Sequence, residues 1–361
     1  MAKSDQILIV GAGPTGLTAA VELARYGFRP RVIDRGHGPT PLSKAVGLSA
    51  GSLELLEPSG VAAKLLDQGI KIRRGGVWYE GDRLGTIDFS SLPHRYNFLL
   101  ALPQSETETI LADVLADFGV KVERCTTLSA LKQSGGEIEA SIDGPDGRTG
   151  TSFEFVFGAD GLDSTVRRQA GLRFDGYTHR RVWSIADVIL SDWPYERHSA
   201  QLFLDSRGEI SFVIAIGQSR FRIISNTKNG LSHLPGHYFV ERVLRSGQFL
   251  IPVKQARRYQ NGRVFLGGDA AHVHSPVGAR GMNLGIEDAV SFVARLISGS
   301  LGGYTAERYP IGRCQSALNW DPLSACKRDP FWGSPEAMRG AVGVAQRIAG
   351  GRCCGMVRLC S

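Results

Sequence analysis

The chain has 361 residues, 42% of them apolar, enough for about two domains with buried cores and too regular in composition for a disordered or fibrous protein. Its formal charge of +7 and pI near 9.2 come from Lys and Arg scattered along the sequence, which argues against nucleic acid and for anionic small molecules or simple surface solvation. No apolar run nears the roughly 18 residues of a membrane span, the first residues lack a signal-peptide pattern, and the six cysteines do not form a disulfide framework, so a soluble cytoplasmic protein without membrane contact is expected.

Residues 6–10, QILIV, read as a buried parallel strand. Gly11, Gly13 and Gly16 complete G-x-G-x-x-G, and Leu17, Ala20, Val21 and Ala24 follow at helical spacing. A second strand, RPRVID, ends at Asp34, with Arg35 next. Strand, glycine turn, helix, strand and acid together form a dinucleotide-binding unit rather than a chance glycine turn. The glycines let backbone approach a pyrophosphate, the helix N-terminus supplies positive potential, and an Asp at position 34 suits an unphosphorylated ribose, hence FAD or NAD rather than NADP.

The next segments decide between those two. After residues 52–66 the chain breaks into short, turn-rich pieces (IKIRRGGVWYEGDRLGTIDFSS) that read as antiparallel strands. A helix then follows, with Ser105 and Glu108 spaced as a capping box and Gln104 just ahead of its N-terminus. The strand FEFVFGAD leads into Asp160, Gly161, Ser164 and Arg167, a D-G-x-x-S-x-x-R pattern at a strand-to-helix switch. Residues 176–260 are rich in strand patterns, and a final strand, RVFLGG, delivers Asp269 ahead of a polar loop. Ile286, Ala289, Val290, Val293, Ala294 and Ile297 form one helical stripe, so that helix starts near residues 281–283 with its dipole aimed back at the loop.

These three motifs, with SPVGARGMN behind the last, resemble group A flavoprotein monooxygenases, the FAD- and NAD(P)H-dependent aromatic hydroxylases of the p-hydroxybenzoate hydroxylase type. The match runs from about residue 5 to 310. LPQSETE and HVHSP look most like the branch acting on polycyclic aromatic polyketides and bulky phenols. The resemblance implies a mixed α/β fold. A Rossmann-like FAD domain with a parallel sheet (1–72, 100–175 and 260–300) would be interleaved with a smaller β-rich substrate domain (73–99 and 176–259), followed by a divergent tail (301–361).

It also implies roles. Gly11, Gly13, Gly16, Asp34 and Arg35 would hold the adenosine and pyrophosphate. Gln104 would reach the ribityl or pyrophosphate region, Asp160 would make a ribityl or phosphate-side contact, and Arg167 would handle FAD and NAD(P)H. Asp269 would hold the ribityl chain, Pro276 would lie by the reactive flavin edge, and the backbone of Gly281, Met282 and Asn283 would hold the pyrimidine ring. By the same resemblance Pro276, Gly281 and Met282 would form the flavin environment at which catalysis takes place; no substrate base is assigned. The chemistry implied is NAD(P)H reduction of FAD, addition of O2, and transfer of one oxygen to an aromatic small molecule through a C4a-hydroperoxide. NADPH or NADH would visit transiently, since there is no second G-x-G-x-x-G. Baeyer–Villiger oxidation, epoxidation, or a catalytically impaired flavin-binding partner protein are the alternatives. A monomer or homodimer is expected.

For the substrate pocket the aromatic candidates are Trp78, Tyr96, Trp183, Phe203 and Phe212; His94 and Arg95 either steer an acidic substrate or sit at the surface. His-x-His at 272 and 274 lacks a carboxylate or Cys at ligand spacing, so hydrogen bonding is expected there and no metal. Two departures stand out. Gly51 replaces an Arg that contacts FAD phosphates in the family, with Lys44 a compensating cation. The tail departs from the family after GGYTAERYPIG, carries five of the six cysteines and holds one short helix pattern at 334–348.

Overall fold

A computed structural model describes residues 6–40, 45–234, 238–274 and 280–317. Pro276, Lys44 and the helix pattern at 334–348 lie outside the described residues.

Seven helices are described: α1 (Pro14–Arg25), α2 (Ala50–Leu55), α3 (Val61–Gln68), α4 (Gln104–Asp117), α5 (Thr165–Gln169), α6 (Arg280–Ile297) and α7 (Tyr304–Ala317). A six-stranded sheet forms the first layer. Its strands run in the order Gln260–Asn261, Val264–Leu266, Phe155–Gly158, Ile7–Val10, Arg31–Ile33 and Val122–Glu123. All of its pairings are parallel except the hairpin at Gln260–Asn261. The centre of the sheet is apolar throughout: Leu8, Ile9, Val156, Phe157 and Phe265 have no measurable exposure, as expected for parallel strands covered on both faces. α1 packs against both α4 and α6, so the turn before α1 and the loop before α6 meet at one end of the sheet.

A seven-stranded sheet takes its strands from two distant stretches. The order is Phe239–Phe249, Trp183–Ser191, Arg220–Ser225, Ile210–Ala215, Ala200–Leu204, Arg74–Tyr79 and Asp82–Asp88. Only Ala200–Leu204 and Arg74–Tyr79 pair in parallel; the rest are antiparallel. The chain thus leaves the first layer, forms one hairpin, returns, and leaves again.

The capping-box expectation for α4 is corrected. The helix begins at Gln104, with Pro103 as N-cap and no side-chain cap, and Ser105 lies inside it. Glu108 turns instead to other partners: it accepts from Gln104 Nε2 at 2.7 Å and from the Thr40 amide at 2.8 Å. Past residue 300, Tyr304 and Arg308 are buried against α6 and the first sheet.

Candidate functional site

The glycine turn divides its labour. Gly11 has φ +104°, and a Cβ there would lie 2.3 Å from the Ala159 carbonyl oxygen; one at Gly16 would lie 1.9 Å from that of Gly11. These two positions need glycine for packing. Gly13 differs: its backbone is extended, and a Cβ would meet nothing within 4 Å. It stands at the N-cap of α1 without any side-chain cap, so an open cradle faces the uncapped amides of a 12-residue helix. That arrangement fits a dinucleotide pyrophosphate. Asp34 braces the same turn, accepting from the Ala12 and Gly36 amides at 2.7 Å each, with Arg124 3.5 Å away. A carboxylate has about four acceptor sites, so two amides leave capacity for a ribose hydroxyl. Arg35 is exposed beside it.

At the second motif the side chains also bond within the protein. Asp160 accepts from Ser164 Oγ at 2.5 Å and from the Thr165 and Val166 amides at 2.6 and 3.1 Å, which caps α5. Burial raises its carboxyl above the usual range, an effect those hydrogen bonds only partly offset. Arg167 is buried, donating to the Ala270 carbonyl at 2.9 Å and the Leu162 carbonyl at 2.7 Å, with its guanidinium 3.8 Å over the Phe174 ring. Burial lowers its pKa. Arg167 therefore anchors the second motif to the third.

The third motif closes onto the first. Gly268 (φ +59°) and Gly285 both receive Thr15 of α1: a Cβ on either would approach Thr15 Oγ1 to 2.4 and 2.1 Å. Asp269 stands exposed on the 3-10 turn Gly268–Ala270. Gly281 and Met282 occupy the first turn of α6. The Asn283 side chain is buried, accepting from the Ser49 amide (2.8 Å) and Ser52 Oγ (2.7 Å) and donating to the Gly47 carbonyl (3.0 Å). It fastens α6 to the segment that starts α2. Gly51, in the first turn of α2, is exposed and has nothing within 4 Å of a notional Cβ.

Behind this loop lies a network that sequence reading missed. Asp288, fully buried, accepts from the Gly268 amide at 3.0 Å, meets His272 Nε2 at 2.6 Å and accepts from Arg308 Nε at 2.7 Å. Burial alone would raise its pKa, but His272 and Arg308 more than offset it and hold it low. Its signal in the sequence was a charge next to the apolar stripe, between Ile286 and Ala289, where an acid survives only with partners. His272 is thus a hydrogen-bonding residue, and no group of three His, Cys, Asp or Glu side chains suits a metal among the described residues.

The seven-stranded sheet turns one face toward these loops. Arg222 donates to the Ala45 carbonyl at 2.8 Å and Arg220 to Glu106 at 2.5 Å, both across to the first layer. Strand register places Ile185, Ile224, Phe212, Leu202 and Val77 in one row on that face. Ile185, Phe212 and Leu202 are only half-buried, leaving an apolar platform. Trp183 shares this side. Trp78 and Phe203 do not: they join Tyr195 and Trp193 on the reverse face. Tyr96 bonds Glu57, and His94 and Arg95 pair with Glu54 and Glu57, so none of the three is gathered to the platform.

The model of a family described as an FAD binding domain matches residues 4–308. An uncharacterized aromatic compound monooxygenase of Bacillus subtilis is 34% identical over 338 residues, 86% of this chain and 66% of the relative. Pentachlorophenol 4-monooxygenase of Sphingobium chlorophenolicum is 33% identical over 335 residues, 85% of this chain and 62% of the relative. The chain therefore spans slightly less than two thirds of the length of these relatives. The solved structure of an anhydrotetracycline hydroxylase from Streptomyces rimosus superposes with a TM-score of 0.73 at 29% identity, covering 95% of this chain and 76% of that one. No described helix is long and apolar enough to cross a membrane. The chain belongs to the FAD-binding family of flavoprotein aromatic monooxygenases, and FAD is its cofactor.

Proposed function

We propose that this chain hydroxylates an electron-rich aromatic small molecule, phenolic or polycyclic, with NAD(P)H as transient reductant and O2 as oxidant. The observation that carries this reading is the seating of Thr15 against Gly268 and Gly285, which puts an uncapped helix N-terminus and the Asp269 loop at one end of the sheet. One extended dinucleotide can then lie across both. Gly13 and the α1 amides would take the pyrophosphate, Asp34 and Arg35 the adenosine end, and Gln104 and Asp269 the ribityl chain. The amides of Gly281, Met282 and Asn283 would face the pyrimidine side, with Pro276 in the adjoining stretch. Asp160 would make a ribityl or phosphate-side contact and Arg167 would meet FAD and NAD(P)H, while their bonds to the α5 amides and to the Ala270 and Leu162 carbonyls hold the second motif in place. Residues 1–72, 100–175 and 260–300 form the FAD domain in this reading, and 73–99 and 176–259 the substrate domain.

When bound, FAD supplies hydride acceptance and O2 activation. The chain's own contribution is position and dryness. The row Ile185, Ile224, Phe212 and Leu202 offers a flat apolar surface to a planar ring, and the positive end of α6 favours negative charge on the loop side. The relatives' names, a pentachlorophenol monooxygenase and an anhydrotetracycline hydroxylase, support phenols and fused-ring polyketides as the substrate class.

Gly51 favours a second reading, a flavin-binding partner without turnover, because the position lacks the cation that the resemblance would place there. Oxidation of NADPH in air by FAD-loaded protein, with and without a panel of phenols and anthracyclic ketides, separates the two. Phenol-stimulated oxidation with an oxygenated product supports the hydroxylase; FAD binding with no stimulation supports the partner.

A further inference from the structure

Arg308 lies on α7, beyond every segment that sequence reading gave to the cofactor. Its side chain is buried. Nε donates to Asp288 Oδ1 at 2.7 Å, and Nη2 lies 3.2 Å from Glu287 Oε2. Each of these neighbouring carboxylates reaches a different end of the loop. Asp288 accepts the amide of Gly268, where the loop begins, and meets His272 within it. Glu287 lies 3.4 Å from Nη2 of Arg280, where α6 begins. Both ends of 268–280 therefore converge on a single guanidinium, whose planar fork fixes the angle between its partners. Tyr304, one turn earlier on α7, adds a hydrogen bond from its hydroxyl to the Leu266 carbonyl at 2.9 Å, in the strand that delivers the loop.

We propose that Arg308 is a positioning residue of the FAD site, setting the relative placement of the Asp269 turn and the first turn of α6 without touching the cofactor. The inference rests on the reading of 267–283 as the flavin seat. A lysine at 308 keeps the charge that buried Asp288 requires but lacks the planar fork that holds the two carboxylates at a fixed angle. Glutamine at 287 leaves Asp288 paired with Arg308 and offers one acceptor oxygen in place of two, which breaks the bridge from Arg308 to Arg280.

The test compares wild type, Arg308→Lys, Glu287→Gln and Asp269→Ala, with Asp117→Asn, which cuts an exposed ion pair to Lys64 elsewhere, as control. FAD affinity, the visible absorption band of the bound flavin, the flavin reduction potential and the melting of the FAD-free protein are measured for each. Arg308→Lys and Glu287→Gln should weaken FAD binding about tenfold, the scale seen when an outer partner that orients a binding group is lost. They should also shift the flavin band and potential, with the FAD-free melting temperature of Glu287→Gln unchanged. Affinities within about twofold of wild type and an unmoved band would overturn the proposal. So would weakening that follows a matching drop in FAD-free stability, which marks a merely structural role. If Asp269→Ala also binds FAD like wild type, the flavin-seat reading itself fails; if Asp269→Ala weakens binding while the other two do not, only the role of Arg308 fails.

Discussion

Arg222 and Asp187 form a two-pronged ion pair inside the sheet, Nε to Oδ1 at 2.7 Å and Nη2 to Oδ2 at 2.9 Å, with Arg222 only 1% exposed. The remaining fork of Arg222 reaches the Ala45 carbonyl of the other layer, and Arg245 shares the Asp187 carboxylate at 2.6 Å. The pair thus sets how the platform sheet sits against the loops. Asp187→Ala leaves a buried guanidinium uncompensated and should cost about 3–5 kcal/mol of stability, read from urea unfolding.

Acid should expose the same dependence. Burial pushes the Asp187 carboxyl up, but Arg222 and Arg245 outweigh it and hold it below its ordinary value; Asp288 is held low in the same way by His272 and Arg308. A depressed carboxylate contributes stability that is fully present above its unfolded pKa, about 4, and is lost as pH falls through the folded value. Unfolding free energy should therefore drop on acidification below that point, and Asp187→Asn, already destabilised at neutral pH, should show a shallower drop.

The glycines of the first turn should separate by role. Gly16→Ala meets the Gly11 carbonyl and should prevent folding or lower stability by several kcal/mol. Gly13→Ala meets nothing in the protein, so FAD-free stability should change by less than about 1 kcal/mol. A methyl in the cradle should nonetheless weaken FAD binding by about tenfold or more. Titration of FAD alongside thermal melting checks both. Unchanged FAD affinity in Gly13→Ala would mean the pyrophosphate lies elsewhere.

A Cβ at Gly51 meets nothing within 4 Å, and the residue is exposed, so a side chain can start there without a clash in Gly51→Arg. The resemblance places this position by the cofactor phosphates, so the new cation should tighten FAD binding by about threefold to tenfold, and the gain should shrink in high salt. Equal affinity at low and high salt would remove Gly51 as the cause of any weak flavin retention.

Substrate handling should depend on which face an aromatic residue occupies. Phe212→Ala should raise KM for the aromatic substrate while leaving FAD affinity intact, whereas Phe203→Ala, on the reverse face and 5% exposed, should cost about 3–5 kcal/mol of stability with little effect on KM. Steady-state kinetics and urea unfolding on the two variants distinguish them.

The backbone parts of the site were legible in the sequence, because glycine spacing and apolar periodicity report directly on turns, strands and helices. Gly11, Gly16 and Gly268 sit where close packing demands them. Side-chain direction was less legible. Asp160 and Arg167 look like cofactor ligands by motif; the motif does not reveal that Asp160 also accepts from the first amides of α5, which Ser164 N-caps, or that Arg167 also donates to two carbonyls. Alternation along the strands sorts Phe203 from Phe212, but only packing decides which face meets the loops, and Arg222 and Arg220 make that choice. Asp288 and Arg308, 20 residues apart in different helices, left only the trace of an acid flanked by apolar residues.

The measurement that bears most directly on the account is the product of a single aerobic incubation: FAD-loaded protein, NADPH and a fused-ring phenol under isotopically labelled O2. The account predicts that NADPH oxidation accelerates with the phenol and that the product gains one labelled oxygen on the ring. NADPH oxidation indifferent to every phenol, with no labelled product, would contradict it.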